Sequence, residues 1–370
     1  MHRSLIRSGA FSVRIIFAYF LRCHAKFERI LLTRRFFNGI INHRGRETLP
    51  IEFIWRKRMS KIVIALGGNA LQEAGMPATA ESQLEVVEKT SEYIADIIQE
   101  GYDVVLAHGN GPQVGRIVIQ NEYASAVTPA MPFDVCGAMS QGYIGYHMQQ
   151  GLEKVLRSRG INKRVATVVT QVVVDKDDPK FKNPSKPIGP FYTEDEAKKL
   201  KEEKGYTMKE DAGRGWRRVV ASPMPVEIVE LDAVKCLIGG GFIPITVGGG
   251  GIPVIRNEQG NFVGTAAVID KDLASERLAE DIDADALVIL TAVEKVCINF
   301  GKPEQKALST MTVDEANKYM AEGHFAPGSM LPKVEAAVKF VMSKPGRKAI
   351  ITSLDKAVEA LEGKAGTTIA

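Results

Sequence analysis

The chain has 370 residues, 45% of them hydrophobic and 25% charged, a profile that fits one large or two smaller globular domains and excludes collagen-like and low-complexity classes. Its net charge of +4 is unevenly spread: residues 1–58 carry 13 Lys and Arg against 3 acids, net +10, and the other 312 carry 35 bases against 41 acids, net −6. A mildly acidic body argues against a nucleic-acid surface across the fold, and cysteines at 23, 136, 236 and 297 without CxxC spacing argue against a disulfide framework or zinc site.

Residues 1–58 mix arginines with aromatics and hold seven of the fifteen phenylalanines. Their longest uncharged stretch near the start, residues 15–21, is too short to span a bilayer and precedes no signal-peptidase site. Two readings stand for this leader. An Arg-rich, acid-poor segment suits an organellar transit peptide; alternatively the start lies at Met59, which is favoured because a strand signal begins two residues later. The body is expected in the cytoplasm, or in an organelle if the leader is a genuine address.

From residue 61 the pattern alternates. KIVIAL (61–66) reads as a buried strand closed by Gly67-Gly68-Asn69, residues 81–100 as a helix, and DVVLAH (103–108) as a second strand. Gly109-Asn110-Gly111-Pro112 opens another helix. Further strands are expected over 165–174, 243–247, 286–291 and 348–352, and helices over 140–157, 270–281, 312–322 and 330–343. Short β-branched runs between helices point to an α/β fold with a mostly parallel open sheet covered on both faces. Residues 175–222, rich in Lys, Asp, Pro and Gly, break the alternation and hold one short helix (194–204), so they read as a protruding subdomain outside the sheet.

Ligands of open α/β sheets gather where strands end and helices begin. Three glycine-rich turns fall at such places, at 67–69, 109–111 and 248–251. Glycine lets backbone N–H groups approach an anion, and the helix that follows favours negative charge. None is a P-loop, and no GxGxxG fingerprint with its acidic partner follows a strand. Three lysines stand at element ends: Lys186 between prolines, Lys271 beside Asp270 and Asp272, and Lys333 after Pro327-Gly328-Ser329-Met330-Leu331-Pro332, where Ser329 suits a helix N-cap. No HExxH, paired-histidine spacing or GxSxG elbow occurs, no metal-binding residues are assigned, and Cys236 and Cys297 lie in apolar runs that read as structural. Phosphoryl transfer suits such a site, because it asks for positioning and cationic stabilisation. An acceptor that is already an oxyanion needs no general base.

The segments IALGGNAL (64–71), HGNGPQVG (108–115), AMSQGYIGY (138–146), NPSKPIGPFYT (183–193), EDAGRGWRRVV (210–220), GGGGIPV (248–254), AVIDKDLASE (267–276) and HFAPGSMLPKVEAA (324–337) together resemble the carbamate kinases of the amino acid kinase family. The resemblance runs from about Met59 to Ala370. GPFYT and DAGRGWR resemble carbamate kinases in particular, against the acetylglutamate, aspartate and uridylate kinases; the complete lysine set argues against a non-catalytic sensor.

The resemblance implies a three-layer αβα sandwich that forms homodimers and catalyses ATP + carbamate ⇌ ADP + carbamoyl phosphate with Mg²⁺, making ATP in arginine breakdown. It implies a carbamoyl-side lobe over 59–225, including the subdomain at 175–222, and a nucleotide lobe over 226–370. Gly67, Gly68, Asn69, Gly109, Asn110 and Gly111 would hold the small anion and the phosphoryl group in transit. Lys186 would reach the phosphoryl from the subdomain, Lys271 and Lys333 would neutralise nucleotide phosphates, and Asp272 would orient those lysines. Gly248, Gly249 and Thr291 would lie on the nucleotide side. Small molecules are the expected partners, with neither nucleic acid nor membrane.

Overall fold

The structure, a computed structural model, describes residues 60–73, 75–211 and 213–370; both readings of the 1–58 leader lie outside the described residues. At its centre an eight-stranded sheet runs in the order β15 (Thr310–Met311), β17 (Thr367–Ile369), β16 (Lys348–Ser353), β12 (Ala286–Thr291), β1 (Lys61–Leu66), β2 (Asp103–His108), β9 (Ile243–Ile245) and β3 (Val165–Thr167). All neighbours are parallel except β16 and β17.

Side chains alternate across a strand, and β1 uses both faces. Ile62, Ile64 and Leu66 pack with Leu106 of β2 against α1 (Ala80–Gln99) and α3 (Phe133–Ser158), whose Ile94, Ile97, Leu152 and Leu156 are buried. Val63 and Ala65 face the other way, toward α6 (Lys271–Asp281) and α8 (Met330–Ser343), which contribute Leu278 and Phe340. A parallel sheet buried on both faces explains why these strands read as unbroken apolar runs rather than alternating ones. The result is the expected three-layer αβα sandwich. Strands from both halves of the chain interleave in it, with β9 between β2 and β3.

The expected strand over 165–174 is two strands in two sheets. β3 ends at Thr167, and β4 (Gln171–Val174) belongs to a four-stranded sheet ordered β11 (Phe262–Gly264), β10 (Ile252–Arg256), β4 and β8 (Pro225–Ile228). Between them Thr170 is buried: its N–H donates to the Gln141 side-chain oxygen at 2.7 Å and its hydroxyl accepts the Val247 N–H at 3.1 Å. The backbone can leave one sheet there because side chains satisfy it, and a continuous β-branched run carries no mark of that hand-over. Residues 175–222 do stand outside the main sheet. They build an antiparallel sheet of β5 (Lys186–Tyr192), β7 (Trp216–Val220) and β6 (Met208–Glu210), with α4 (Glu194–Lys204) closed at its start by a Thr193–Glu196 capping box.

Some bounds differ from the sequence reading. α3 begins at Phe133, seven residues before the expected start, led by Pro132 and with Asp134 in its first turn. A helix over Leu231–Gly239 (α5) was not expected, and it leaves Cys236 exposed, which corrects the structural reading of that cysteine. The remaining elements are α2 (Gly111–Tyr123), the hairpin of β13 (Cys297–Ile298) and β14 (Lys306–Ala307), α7 (Val313–Ala321) and α9 (Ala357–Leu361). Ser329 occupies the N-cap position of α8, but its hydroxyl makes no capping hydrogen bond. Among the described residues no helix is long and apolar enough to cross a membrane.

Candidate active site

β12, β1, β2 and β9 are consecutive in the sheet, so the turns after β1, β2 and β9 open side by side at their C-terminal ends. The first, Gly67-Gly68-Asn69, turns through a short 3₁₀ segment. A Cβ on Gly67 would come 2.9 Å from the Leu290 carbonyl oxygen and 3.9 Å from the Thr291 Cα, so this turn lies directly against the end of β12. Gly109 in the second turn is covered by the aliphatic stem of Lys271, whose Cδ would be 3.3 Å from an added Cβ. Gly111 and Pro112 then start α2. Asn110 occupies its N-cap position without capping it, donating instead to the Ser140 hydroxyl at 2.9 Å. The first N–H groups of α2 therefore keep no side-chain acceptor, the condition in which a helix start can accept an anion.

The third turn is locked from behind. Val247, Gly249, Gly250 and Gly251 all have positive φ, between 45° and 93°, a region open to glycine and strained for valine. Gln141, buried on α3, donates to the Gly248 carbonyl at 2.9 Å and to the Thr170 carbonyl at 3.2 Å. Gly249 abuts the Asn110 side chain so closely that a Cβ would overlap it. Of Gly248 and Gly249, both expected beside the nucleotide, Gly249 lies against Asn110 of the second glycine turn and Gly248 against His108 and Gln141. His108 packs on Gly248 and donates through Nδ1–H to the Gly109 carbonyl at 2.8 Å. Burial brings its pKa down to about 4, partly opposed by that hydrogen bond and reinforced by the nearby Lys271 charge; at neutral pH it is an uncharged wedge between two turns.

Behind the second turn sits a charged triad. Lys271 Nζ donates to Asp272 Oδ1 at 2.5 Å and Lys333 Nζ to Asp272 Oδ2 at 2.8 Å. The carboxylate is 3% exposed and the two ammonium side chains 16% and 13%. Burial pushes the Asp272 carboxyl up, but the charges of Lys271 and Lys333 and their hydrogen bonds outweigh it and hold it below the ordinary carboxylate range. Lys271 is pushed down by burial, with Asp272 opposing and Lys333 adding to the effect. Two cations around one anion leave one net positive charge with little water around it, beside a glycine turn.

Lys186, at the start of β5, reaches back from the subdomain to Asp270, with Nζ 3.2 Å from Oδ2. The other oxygen of Asp270 caps α6 by accepting the Asp272 N–H at 2.9 Å. A single residue thus joins the start of the triad helix to the subdomain lysine. Below Lys186 lies a cavity of about 130 Å³, lined among others by Asn110, Gly111, Asp134, Lys186, Arg217 and Gly249. Arg217 is fixed by donation to the Gly189 carbonyl at 3.0 Å, and its Nε is buried without a partner.

All four expected charged residues, Lys186, Lys271, Asp272 and Lys333, meet around the glycine turns, and Thr291 stands across from Gly67. Asn69 lies in the first turn. Gln141, Asp134 and Arg217 were not anticipated individually, although AMSQGYIGY and DAGRGWR contain two of them.

Among the described residues no three His, Cys, Asp or Glu side chains converge as a metal cage. Asp270 and Asp272 are already engaged by lysines. Such a donor set fits a divalent ion that arrives on nucleotide phosphates, as Mg²⁺ commonly does with few protein ligands.

Residues 60–353 match the amino acid kinase family. The chain is 58% identical over 312 residues to the carbamate kinase of Clostridium perfringens, covering 84% of this chain and 99% of that protein. It is 56% identical over 314 residues to the carbamate kinase of Thermococcus kodakarensis, again covering 84% and 99%. Among solved structures, the carbamate kinase of Giardia lamblia bound to AMP-PNP superposes with a TM-score of 0.81 at 47% identity, covering 85% of this chain and 99% of that one.

Proposed function

The chain belongs to the amino acid kinase family, and we infer on that premise that it is a carbamate kinase, catalysing ATP + carbamate ⇌ ADP + carbamoyl phosphate. The observation that carries the site assignment is Asp272 held between Lys271 and Lys333 beside Gly109. In the forward direction a carbamate oxygen forms a bond to the γ-phosphorus while the bridging P–O bond to ADP breaks, and ADP leaves with the electron pair. The attacking oxygen is already anionic, so no proton must be removed. That agrees with a site of lysines, backbone amides and one uncharged histidine.

Charge spreads over the transferring phosphoryl oxygens as it passes, and fixed cations in a poorly solvated site stabilise it more than water would. Lys271 and Lys333 take the nucleotide phosphates, Asp272 keeps both ammonium groups aimed, and Lys186 leaves Asp270 to meet the phosphoryl group. The first two glycine turns and the open start of α2 hold the acceptor anion. The contact between Gly249 and Asn110 supports grouping the third turn with the acceptor side, leaving Thr291 beside the nucleotide. Mg²⁺ enters as part of the nucleotide substrate.

The two lobes, 59–225 and 226–370, then divide acceptor from nucleotide except at the third turn, which the 226–370 lobe lends to the acceptor side. A homodimer is supported by Tyr123, Val127, Met131, Val135, Met139 and Tyr146, exposed apolar residues on or between α2 and α3. ATP formation during arginine breakdown is what the resemblance implies; the address is cytoplasmic for a start at Met59 and organellar for a genuine leader, and mass spectrometry of the native N-terminus decides between the two. Activity is tested by ATP formation from ADP and carbamoyl phosphate in a hexokinase-coupled assay.

A further inference from the structure

The cavity beneath Lys186 carries a feature that phosphate binding leaves unexplained. Lys186, Arg217, the Asn110 amide and the start of α2 all suit an anion, yet Asp134 is on the same wall and is the one carboxylate among the lining residues. It lies in the first turn of α3, half-buried, where the helix dipole favours a negative charge. Its Oδ2 rests against Gly264 of β11, at a point where a Cβ would overlap it. A bare glycine therefore makes the seat, although Gly264 itself has no positive φ that would demand glycine. Among the described residues no donor or cation pairs with the carboxylate.

A carboxylate facing an anion is repulsive unless the ligand also presents a donor. We propose that Asp134 is a specificity-determining residue that accepts a hydrogen bond from the carbamoyl –NH₂, while the anionic end of the same ligand faces Lys186 and the start of α2. This rests on the carbamate kinase reading above. An acyl group with a methyl in place of the amine would leave the half-buried carboxylate unpaired, and a polar group that loses its partner to the ligand is what makes such a site reject the analogue. The residue that tells carbamoyl phosphate from acetyl phosphate is therefore Asp134, placed by Gly264.

The test compares carbamoyl phosphate and acetyl phosphate on the full-length enzyme. For each, kcat/KM for ATP formation is measured; the inhibition constant of acetyl phosphate against carbamoyl phosphate reports its binding even without turnover. In Asp134→Ala the preference for carbamoyl phosphate should fall about 10- to 100-fold, with carbamoyl phosphate use falling and acetyl phosphate binding tightening or holding. Gly264→Ala, which unseats the carboxylate without replacing it, should shift the ratio the same way, and it carries the test where the Asp134→Ala variant does not fold. Equal losses for both ligands, or an unchanged ratio in a folded variant, overturn the proposal. Wild-type enzyme that makes no ATP from carbamoyl phosphate removes the function it rests on, a result distinct from a failed ratio.

Discussion

Replacing Asp272 with asparagine tests the triad at its centre. At 2.8 Å and an effective dielectric near 20, each ammonium–carboxylate pair is worth about 6 kcal/mol of gross attraction, most of it offset by the desolvation of three buried charges. The asparagine amide accepts from one lysine through its oxygen and turns an N–H₂ toward the other. Two ammonium groups then share a buried site without the carboxylate between them, with Asp270 already paired to Lys186, which costs about 3–5 kcal/mol. Against a typical total of about 5–15 kcal/mol the fold survives, with a melting temperature lower by about 5–10 °C. ADP supplies the missing negative charge, so it should raise the melting temperature of Asp272→Asn more than that of the wild type. Turnover should still fall about 100-fold or more, because the lysines are no longer aimed. Differential scanning calorimetry with and without MgADP, together with the coupled assay, gives all three readings. A variant with unchanged melting temperature and turnover within about threefold of wild type would mean that Asp272 neither neutralises nor aims the two lysines.

Three other outcomes follow from separate parts of the site. Lys186→Ala breaks a partly exposed ion pair, so it should cost under about 1 kcal/mol in urea unfolding yet lower turnover tenfold or more. Gly249→Ala places a Cβ on the Asn110 side chain at a φ of 66°; we expect a loss of about 1–3 kcal/mol and a rise in KM for carbamoyl phosphate, read by steady-state kinetics. His108 has a folded pKa of about 4 against an unfolded 6.5, so the unfolded chain binds the proton first. Its contribution is intact above about pH 6.5 and lost as pH falls toward 4, a change of up to about 3 kcal/mol; denaturation across that window should show a shallower slope for His108→Gln.

The parts of the fold carried by local pattern were legible. β1, β2, β12, α4 and α8 have the bounds that their apolar runs and end signals give. What local pattern cannot show is where a strand changes sheet: 165–174 is one β-branched run, and only the distant Gln141 and Val247 reveal the break at Thr170. The second sheet was hidden for a related reason, since IPVIR and PVEI are short, contain proline and flank glycine or loop segments. At the site, Lys271 and Asp272 adjoin in sequence, while Lys333 is 61 residues from its carboxylate and was joined to it through the resemblance to carbamate kinases. Asp134 gave no local signal, and Arg217 none beyond its place in DAGRGWR, because a charged residue near a helix start or in a short strand ordinarily faces solvent. Their meaning appears only when the subdomain closes over α2 and α3.

The proposed work of the lysines around Asp272 and of the glycine turns is phosphoryl transfer between carbamoyl phosphate and ADP. The most direct measurement is ATP formation from those two substrates by purified wild-type enzyme and by Lys271→Ala, with circular dichroism on both. Robust ATP formation by the wild type is expected, with a loss of tenfold or much more in a folded variant. Near wild-type ATP formation by Lys271→Ala would contradict that assignment.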